Sequence, residues 1–403
     1  MKQGWEIKQL ADVANVSSGN SAPQKKELFE DGSFPFIRTS DVGQIRKGFI
    51  SSCVDYLNND GIKGLKLYKR GTILFPKSGA STFLNHRVMM EIDSYVSSHL
   101  ATIKGNNSII DDRFLLYFLI TIDARDLMQD ITYPSLKTSD ISLIPIPLPP
   151  LPEQQRIVAI LDEAFAAIAK AKTNAEQNLK NAKELFESYL QGVFENKGDG
   201  WEEKMLKEIG IAQTGTTPKT ANKENYGNFI PFIKPADINI KGNGEIRYDN
   251  DGLSEQGLRN GRKMFNGSIL MVCIGATIGK VGFVDRDVSC NQQINSLTVK
   301  KEFSPKFIYY ALSTKGFFEQ VMLNSAQATL PIINKGKWET LTVSFPNSKI
   351  EQEAIVNKFD AIQLETKKLE SIYQQKINDL EELKKSVLQM AFSGELNNKT
   401  LTL

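Results

Sequence analysis

The chain has 403 residues, with 49 Lys and Arg against 47 Asp and Glu, so its formal net charge is only +2. This length predicts two or three domains, and a composition of 41% apolar and 24% charged residues excludes a disordered chain. The absence of any apolar run near 18–20 residues excludes a membrane span, and the N-terminus lacks the apolar core of a signal peptide, so we expect a cytoplasmic protein.

The first predicted domain covers residues 1–150. It mixes short β-like runs, such as Gly71–Phe75, with turns rich in Gly, Asn, Asp and Ser. A helical stretch follows near Phe114–Leu119. This pattern predicts an α+β (α/β-like) domain but does not give its strand order.

A proline-rich stretch from Ile144 to Pro152 ends this domain. Proline lacks a backbone donor and disfavours helix in the residue before it, so the stretch predicts a stiff extended connector rather than a peptide-binding motif. Pro152 also suits the first turn of the helix that we predict to start there.

Two long helices are predicted, over residues 151–198 and 347–403. Apolar residues recur three and four apart for about five heptads. Each helix has about 40 residues and a length of roughly 60 Å, which is too long to pack on one face of a single domain. The predicted seam comprises Ile157, Leu161, Ala164, Ile168, Ala171, Ala175 and Leu185 in the first helix, and Ile355, Phe359, Ile362, Leu369, Tyr373, Leu380 and Leu383 in the second.

The two seams differ in side-chain size. Ala164, Ala171 and Ala175 stand where the second helix has Ile362, Leu369 and Tyr373. Small residues that face large ones fill space without voids. We therefore predict an intramolecular antiparallel coiled coil and a pseudo-two-fold molecule.

Residues 199–346 form the second predicted domain, because the chain is a tandem repeat. Gly4-Trp5-Glu6 and Pro35-Phe36-Ile37 recur 196 residues later, and at the same offset Gly71-Thr72-Ile73 matches Gly267-Ser268-Ile269. In the helices the offset becomes 198, where Glu153-Gln154 matches Glu351-Gln352. The plan is therefore two units of domain plus helix.

Motifs for catalysis are missing from the sequence. Gly275–Lys280 resembles a phosphate loop, but three residues instead of four separate its glycines, so we predict a turn between two strands that brings Lys280 near a phosphate. Zinc-protease, nucleophile-elbow, dinucleotide, amino-methyltransferase and helicase motifs are also absent. The two histidines and three scattered cysteines suit no metal site or disulfide framework. We predict a non-enzymatic chain.

Charge becomes informative when it is divided by segment. Residues 1–150 carry a net charge of +1 and residues 199–346 carry +3, whereas each helical segment carries −1. Binding to nucleic acid would therefore depend on clustered charge. The candidates for phosphate contact are Lys25, Lys77, Lys137, Lys219, Lys234 and Lys280.

Base edges in the major groove are matched by Asn, Gln, Arg and hydroxyl side chains. In the second domain the candidates are Thr216, Asn291, Gln292, Gln293, Asn295, Gln327 and Thr329. In the first domain they are Ser78, Asn85, Arg87, His99, Tyr133 and Ser135.

Recurring motifs open the helices and the domains. Pro149-Pro-Leu-Pro-Glu-Gln-Gln-Arg-Ile157 opens the first helix, and Ile350-Glu-Gln-Glu-Ala-Ile355 opens the second. The domain-opening pattern is Thr214-Gly-Thr-Thr-Pro218 followed by Ile230–Asp237, and the first domain has it more loosely from Ser18 to Pro23. With these motifs, the chain resembles the specificity subunit of type I restriction–modification systems over its whole length.

The resemblance implies two target-recognition domains, each of which recognises one half of a split, asymmetric sequence in double-stranded DNA. It implies that the helices space these domains and dock two methyltransferase subunits, which recruit two restriction and translocase subunits. S-adenosylmethionine, ATP and magnesium would then belong to those partners, and no metal to this chain.

One departure from the family pattern is Pro346-Asn-Ser-Lys349 before the second helix, so the two docking surfaces are not expected to be equivalent. Half-sites roughly one DNA turn, about 34–36 Å, apart would suit a spacer of this length. The alternatives are the specificity chain of another bipartite methyltransferase–nuclease, a coiled-coil scaffold that never binds DNA, and an enzyme with an unrecognised active site.

Overall fold

The computed structural model describes residues 4–128, 134–238, 244–326 and 330–396. The chain divides into two compact units: residues 1–175 with 375–403, and residues 176–374. Each unit therefore contains one mixed domain together with part of both long helices.

The first domain is α+β, as predicted. Its strands are β1 Glu6–Gln9, β2 Ala14–Ser18, β3 Phe34–Ile37, β4 Lys47–Ile50, β5 Asp55–Leu57, β6 Ile73–Pro76, β7 Arg87–Met90, β8 Tyr95–Val96, β9 Leu100–Gly105 and β10 Pro145–Leu148. Its helices are α1 Leu10–Val13, α2 Thr39–Ile45, α3 Asp112–Thr121 and α4 Thr138–Ser142, and α3 confirms the predicted helical stretch.

Three sheets organise this domain. A five-stranded sheet has the order β2-β9-β6-β7-β4, and a three-stranded sheet has the order β5-β3-β8. In the large sheet only β4 and β7 pair in parallel; the other neighbours are antiparallel. The helix α3 starts where the Asp111 carboxylate accepts hydrogen bonds from the amides of Arg113 and Phe114, and its apolar side chains pack in the core behind the sheet.

The proline-rich connector is extended, as predicted, and it is also a strand. β10 pairs antiparallel with β1, so that Pro145 lies opposite Gln9 and Pro147 opposite Ile7. A two-stranded sheet has only edge strands, where a missing backbone donor costs nothing. Pro152 lies in the first turn of the following helix.

The second domain repeats this plan. Its strands are β11 Trp201–Met205, β12 Gly210–Thr214, β13 Tyr226–Ile233, β14 Gly252–Leu253, β15 Lys263–Met264, β16 Ile269–Val272, β17 Val281–Phe283, β18 Val288–Cys290, β19 Ile294–Val299 and β20 Thr342–Pro346. Between α5 and α11, which are the long helices Leu151–Glu195 and Lys349–Ser393, lie α6 Leu206–Ile209, α7 Glu255–Asn260, α8 Pro305–Leu312, α9 Lys315–Asn324 and α10 Lys335–Trp338. The sheet orders are β12-β19-β16-β17, β14-β13-β18-β15 and β11-β20.

The long helices α5 and α11 have 45 residues each and pack antiparallel within each unit. In the first unit, the start of α5 meets the end of α11: the Arg156 guanidinium donates to the Leu396 carbonyl oxygen at 3.3 Å, and Lys172 pairs with Glu381 at 2.5 Å. In the second unit, Phe194 near the end of α5 stacks on Phe359 near the start of α11. The predicted antiparallel coiled coil is thus confirmed.

Most of the predicted seam faces inward. The residues that are buried are Ile157, Leu161, Ala164, Ile168, Ala175 and Phe359, and those that are half-buried are Ala171, Ile355, Ile362, Leu369, Tyr373, Leu380 and Leu383. In the first unit a small side chain of α5 faces large side chains of α11, as expected, because Ala164 packs in one cluster with Val387 and Leu388.

Leu185 departs from the predicted seam, because half of its surface is exposed. Phe186 and Leu190 take the inward positions instead, and they pack with Phe359. A strict seven-residue repeat drifts around a helix of 3.6 residues per turn. The inward positions Ala182, Phe186 and Leu190 are four residues apart and follow the 3.6-residue turn of the helix. The seven-residue repeat in the sequence does not show this drift.

Each helix is fastened to its domain by a glutamine in its first turn. Gln154 is fully buried; its Oε1 accepts from the Asp111 amide at 2.8 Å, and its Nε2 donates to the carbonyl oxygens of Ile109 and Pro149 at 3.0 and 2.8 Å. The same residue therefore caps the loop before α3 and holds the end of the proline strand.

Gln352 repeats this arrangement in the second unit. It is fully buried, its Oε1 accepts from the Ser304 amide at 2.8 Å, and its Nε2 donates to the Pro346 carbonyl oxygen at 2.8 Å. A second link follows about two turns later, where Tyr310 donates to Asp360 at 2.6 Å. The repeated Glu-Gln pair in the sequence thus has a structural reason.

Among the described residues, no helix is both long and apolar enough to cross a membrane.

Candidate nucleic-acid interface

Three loops meet at one end of the five-stranded sheet in the first domain. β6 and β9 are antiparallel, so the residues after β6 lie beside those before β9, and the Lys77 amide donates to the His99 carbonyl oxygen at 3.0 Å. The Leu136 amide donates to the Lys77 carbonyl oxygen at 2.7 Å, and the Gly79 amide to that of Pro134 at 2.9 Å. We name residues 77–79, 97–99 and 134–136 the first junction.

The second domain builds the same backbone scheme. The Cys273 amide donates to the Gln293 carbonyl oxygen at 2.8 Å, the Ile333 amide to the Cys273 carbonyl oxygen at 3.0 Å, and the Gly275 amide to that of Pro331 at 3.1 Å. We name residues 273–275, 291–293 and 331–333 the second junction. Every bond of the first junction therefore has an equivalent, although the sequence offset varies from 194 to 197.

The side chains of the two junctions differ in chemistry. In the first, Ser78 pairs with Ser135 as an isolated antiparallel bridge, and the Ser78 hydroxyl lies 2.7 Å from Nδ1 of His99. In the second, the equivalent bridge joins Ile274 and Ile332. A donor–acceptor surface in one domain is thus replaced by an apolar surface in the other, which is the kind of surface that contacts a thymine methyl group.

Equivalent tripeptides line these junctions. Residues Ser97-Ser98-His99 and Asn291-Gln292-Gln293 follow the same backbone pattern, because the amides of Ser97 and Asn291 each donate to the last residue of a central strand, Ile37 and Ile233. His99 and Gln292 are exposed, while Gln293 is half-buried. Ser97 and Ser98 were not among the predicted contacts, and their only signal in the sequence is their place before strand β9.

Within the second tripeptide, the side-chain amide of Asn291 is hydrogen-bonded to Gln293. Asn291 is nearly buried; its Oδ1 accepts from the Gln293 amide at 3.1 Å, and its Nδ2 donates to Oε1 of Gln293 at 3.0 Å. Within the described residues, the Gln293 Nε2 group donates to no protein acceptor. Gln292 accepts a hydrogen bond from the hydroxyl of Thr217, next to the predicted Thr216, which is half-buried.

Two glycines bring the domain-opening segments against these tripeptides. A Cβ atom on Gly19 would lie 2.2 Å from the Ser97 carbonyl oxygen, and one on Gly215 would lie 2.2 Å from that of Asn291. Any side chain would collide with backbone at both places. The glycine in each opening motif therefore allows a fourth segment to pack on each junction.

Arg87, predicted as a DNA contact, lies inside the first domain. It is fully buried, and its guanidinium stacks 3.3 Å from the ring centre of Phe75. One nitrogen donates to the His86 carbonyl oxygen at 2.7 Å. Burial lowers its pKa, and the nearby Asp123 carboxylate opposes that effect. The sequence could not separate a core arginine from a surface one, because both follow a polar turn.

Asn295 and Asn85 also make bonds within the protein. Asn295 is buried on β19, where its Oδ1 accepts from the Thr214 hydroxyl at 2.8 Å. Asn85 has the left-handed φ of +51° that Asn tolerates, and its side chain donates to Asp123 and accepts from the Ala124 amide. Asn85 therefore shapes its loop, whereas the Nδ2 atom of Asn295 is buried without a hydrogen-bond partner among the described residues.

The predicted lysines fall into two groups. Lys25, Lys137 and Lys219 are exposed and Lys77 is half-buried, and none of the four forms an ion pair with another described residue. Lys234 pairs with Asp251 at 2.7 Å, as Arg38 pairs with Asp55 in the first domain. These two pairs support a sheet edge in each domain, and Lys234 is therefore partly neutralised.

Gly275–Lys280 is a turn, as predicted. It joins the antiparallel strands β16 and β17, and the Val272 amide donates to the Lys280 carbonyl oxygen at 2.9 Å. Lys280 is half-buried at the base of this turn. Tyr133, Gln327 and Thr329 lie outside the described residues, so those predictions have no structural counterpart here.

Other reactive groups are held inside the domains. Burial raises the pKa of Cys53 to about 11, and that of Cys273 and Cys290 to about 12 each. Among the described residues, no group of three or more His, Cys, Asp and Glu side chains is placed to hold a metal ion.

The family model that describes the type I restriction modification DNA specificity domain matches residues 2–179 and again residues 198–381. The chain belongs to this family. The two matches each end within a long helix, which agrees with the repeat of domain plus helix.

Curated relatives agree with this assignment. The chain is 24% identical to the HindI specificity subunit of Haemophilus influenzae, over 87% of this chain and 94% of that one. It is 31% identical to the MjaIX specificity subunit of Methanocaldococcus jannaschii, but over only 41% of this chain and 39% of that one.

Solved structures show the same fold. A chain from a structure on complex assembly and conformational transition of the type I R-M system has a TM-score of 0.77 at 20% identity, with 98% of this chain and 99% of that one covered. The HsdS subunit of Thermoanaerobacter tengcongensis has a TM-score of 0.64 at 19% identity, with 98% of each chain covered.

Proposed function

We propose that the chain is the DNA specificity subunit of a type I restriction–modification complex, in which each domain recognises one half of a split DNA sequence. Family membership supports the role, and the paired junctions support the division of labour. One backbone scheme occurs twice with different side chains, Ser78 and His99 in one domain and Ile274 and Gln293 in the other. A symmetric target would require identical domains, so the two half-sites differ.

Methylation, ATP hydrolysis and cleavage are assigned to partner subunits in this proposal, and the chain itself is non-catalytic. S-adenosylmethionine, ATP and magnesium would bind those partners. Support comes from the side chains at the junctions: they are hydroxyl, amide, imidazole and apolar groups that suit recognition of base edges. The assembly would contain two methyltransferase and two restriction subunits and would act in the cytoplasm.

The exposed helix faces supply the proposed docking surface for the methyltransferase subunits. In the second unit, Leu185 and Tyr189 on α5 are exposed by 50% and 36%, and Ile350 at the start of α11 by 81%. Exposed large apolar side chains are candidates for surfaces that partners cover. Leu185 lies outside the seam, so helix pairing does not bury it, and Tyr189 keeps part of its surface exposed although its ring packs against Phe359.

The spacer role would set the gap between half-sites. Insertion or deletion of a whole helical turn in both α5 and α11 should change the length of the unrecognised gap and leave both half-site sequences unchanged. A gap that stays constant in such variants would contradict the spacer role.

The function is tested by mapping methylated adenines across the genome of a strain that carries this chain and of one from which it is deleted. We expect one asymmetric split motif to lose methylation on deletion. An unchanged methylation pattern, measured while the methyltransferase partner is still produced, would refute the proposal.

A further inference from the structure

A cluster of positive charge lies at one edge of the five-stranded sheet in the first unit. Lys47 starts the edge strand β4, directly after Arg46, and β4 pairs in parallel with β7 so that Lys47 lies opposite Arg87. The Arg87 amide donates to the Arg46 carbonyl oxygen at 2.8 Å, which places His86 beside them. Arg46 and Lys47 are exposed, and Arg87 is buried beneath them.

The helix α11 adds two lysines to this edge. Arg113 of α3 lies over the ring of Phe49 on β4 at 5.0 Å, and Tyr117 of the same helix packs against Phe165 of α5, so the helix pair lies close to this edge. Partial desolvation is the largest cause that lowers the pKa of Lys47, and the charges of Lys384, Arg87 and Lys385 add to it. The Lys384 ammonium lies 5.0 Å from the ring centre of Phe165, so it is held by the helix pair. We name Arg46, Lys47, His86, Lys384 and Lys385 the edge cluster.

The edge cluster has few counter-charges. Glu381 is close to it but already pairs with Lys172 at 2.5 Å. Asp123 accepts hydrogen bonds from Asn85 and from the Arg125 amide. Across the described residues, no carboxylate lies within ion-pair distance of Arg46, Lys47, Lys384 or Lys385. Cations that are held together without carboxylates attract an anion from outside.

The edge cluster and the first junction lie at the same end of one sheet. Pro76, the last residue of β6, lies opposite Leu100, the first of β9, and Leu74 opposite Val88 brings the end of β6 to the start of β7. In the strand order β9-β6-β7-β4, the first junction lies at the ends of β9 and β6, and the edge cluster lies at the ends of β7 and β4. Two strand spacings separate them, about 10 Å.

This separation suits duplex DNA. The major groove is about 12 Å wide, so a base edge that faces the junction has its flanking phosphates within about that distance. We infer that the edge cluster binds the phosphate backbone beside the first half-site, and that α11, through Lys384 and Lys385, is therefore part of the DNA-binding surface. The inference rests on the proposed function.

The second unit lacks the helix contribution. On α5, the positions 198 residues before Lys384 and Lys385 hold Phe186 and Glu187. Phe186 packs on Phe359, and Glu187 is an anion. The contact from the helix thus belongs to the first half-site alone.

The test measures DNA affinity against salt for the complex of the full chain with its methyltransferase partner. The probes are a duplex with the split motif found by methylation mapping and a duplex with that motif scrambled. The variant is Lys384→Gln with Lys385→Gln. The matched control is Lys367→Gln with Lys368→Gln, a lysine pair 17 residues earlier on the same helix.

Each lost phosphate contact reduces the slope of log affinity against log salt by about 0.9, so the variant should lose about 2 from that slope. Its affinity for both duplexes should fall by the same factor, and the control should keep the wild-type slope. Lys47→Gln, which leaves the helix pair intact, should lose about 1.

A wild-type slope in the Lys384/Lys385 variant and in Lys47→Gln would overturn the inference. Weaker assembly with the methyltransferase at an unchanged salt slope would also overturn it, because the cluster would then contact protein. If the wild-type complex does not distinguish the two duplexes, the proposed function fails instead, which separates the two outcomes.

Discussion

The two recognition domains share their backbone and differ in what they present on it. In both, three loops are tied by the same amide–carbonyl bonds, and a glycine, Gly19 or Gly215, brings a fourth segment against them. On this frame stand Ser98 and His99 in one domain, and Gln292 and Gln293 in the other. Since backbone bonds do not depend on side chains, such a frame can change its recognition surface without loss of fold.

The helices show a similar contrast. In the first unit α5 offers small residues such as Ala164 to Val387 and Leu388 of α11. In the second unit Phe186, Tyr189 and Phe194 surround Phe359. The same antiparallel pairing is therefore stabilised by close helix approach in one unit and by aromatic packing in the other.

The largest effect is expected for Phe359→Ala. It removes a fully buried ring that contacts four aromatic side chains, and such truncations cost about 3–5 kcal/mol. Chemical denaturation of the variant should show an earlier midpoint for the second unit. Ile372→Ala, on an exposed position of the same helix, is the control and should change stability little. Equal effects of the two substitutions would contradict the aromatic packing.

The next effect concerns the glutamines that fasten the helices. Gln154→Leu removes three hydrogen bonds and Gln352→Leu removes two. Both substitutions leave buried backbone groups without hydrogen-bond partners, so each should lower the free energy of unfolding by about 2–4 kcal/mol. Thermal unfolding measures the loss. Gln155→Leu, on the exposed side of the same turn, should be nearly neutral. If Gln154→Leu is as stable as this control, the glutamine does not fasten the helix.

A smaller and more local effect is expected for the glycines. Gly215→Ala places a Cβ against the Asn291 carbonyl oxygen and should displace the second tripeptide, with about 1–3 kcal/mol of strain. Methylation should then lose selectivity at one half-site. Gly19→Ala should reduce selectivity at the other half-site. Gly192→Ala is the control: its Cβ would meet no neighbouring atom, so selectivity should be unchanged at both half-sites. A loss at both half-sites in either variant would contradict separate recognition.

The smallest change is a graft of one tripeptide onto the other frame. Replacement of Ser97-Ser98-His99 by Asn-Gln-Gln should preserve folding, because the backbone bonds are the same in both domains. It should alter preference at one or two base pairs of the first half-site, by about 1–3 kcal/mol per lost contact. Methylation of duplexes with single base changes measures this. An unchanged preference would remove the tripeptide from the recognition surface.

The repeat, the mixed domains and the helix pair were predictable because they depend on pattern: apolar spacing, proline and recurring motifs. The contacts of individual side chains were less predictable. Arg87 and Asn295 have the chemistry of base-contacting residues, yet burial turns both inward. Leu185 fits the seven-residue repeat, yet the drift of a real helix turns it outward. Ser97 and Ser98 were missed because the offset between repeats changes from 196 to 194 at that loop, and only backbone hydrogen bonds reveal the equivalence.

The most direct test of two independent recognition domains is genome-wide mapping of methylated adenines after residues 199–346 are exchanged for the second domain of a relative with a different target. One half of the split motif is expected to change, while the other half and the gap stay the same. A change in both halves, or in neither, would contradict independent recognition.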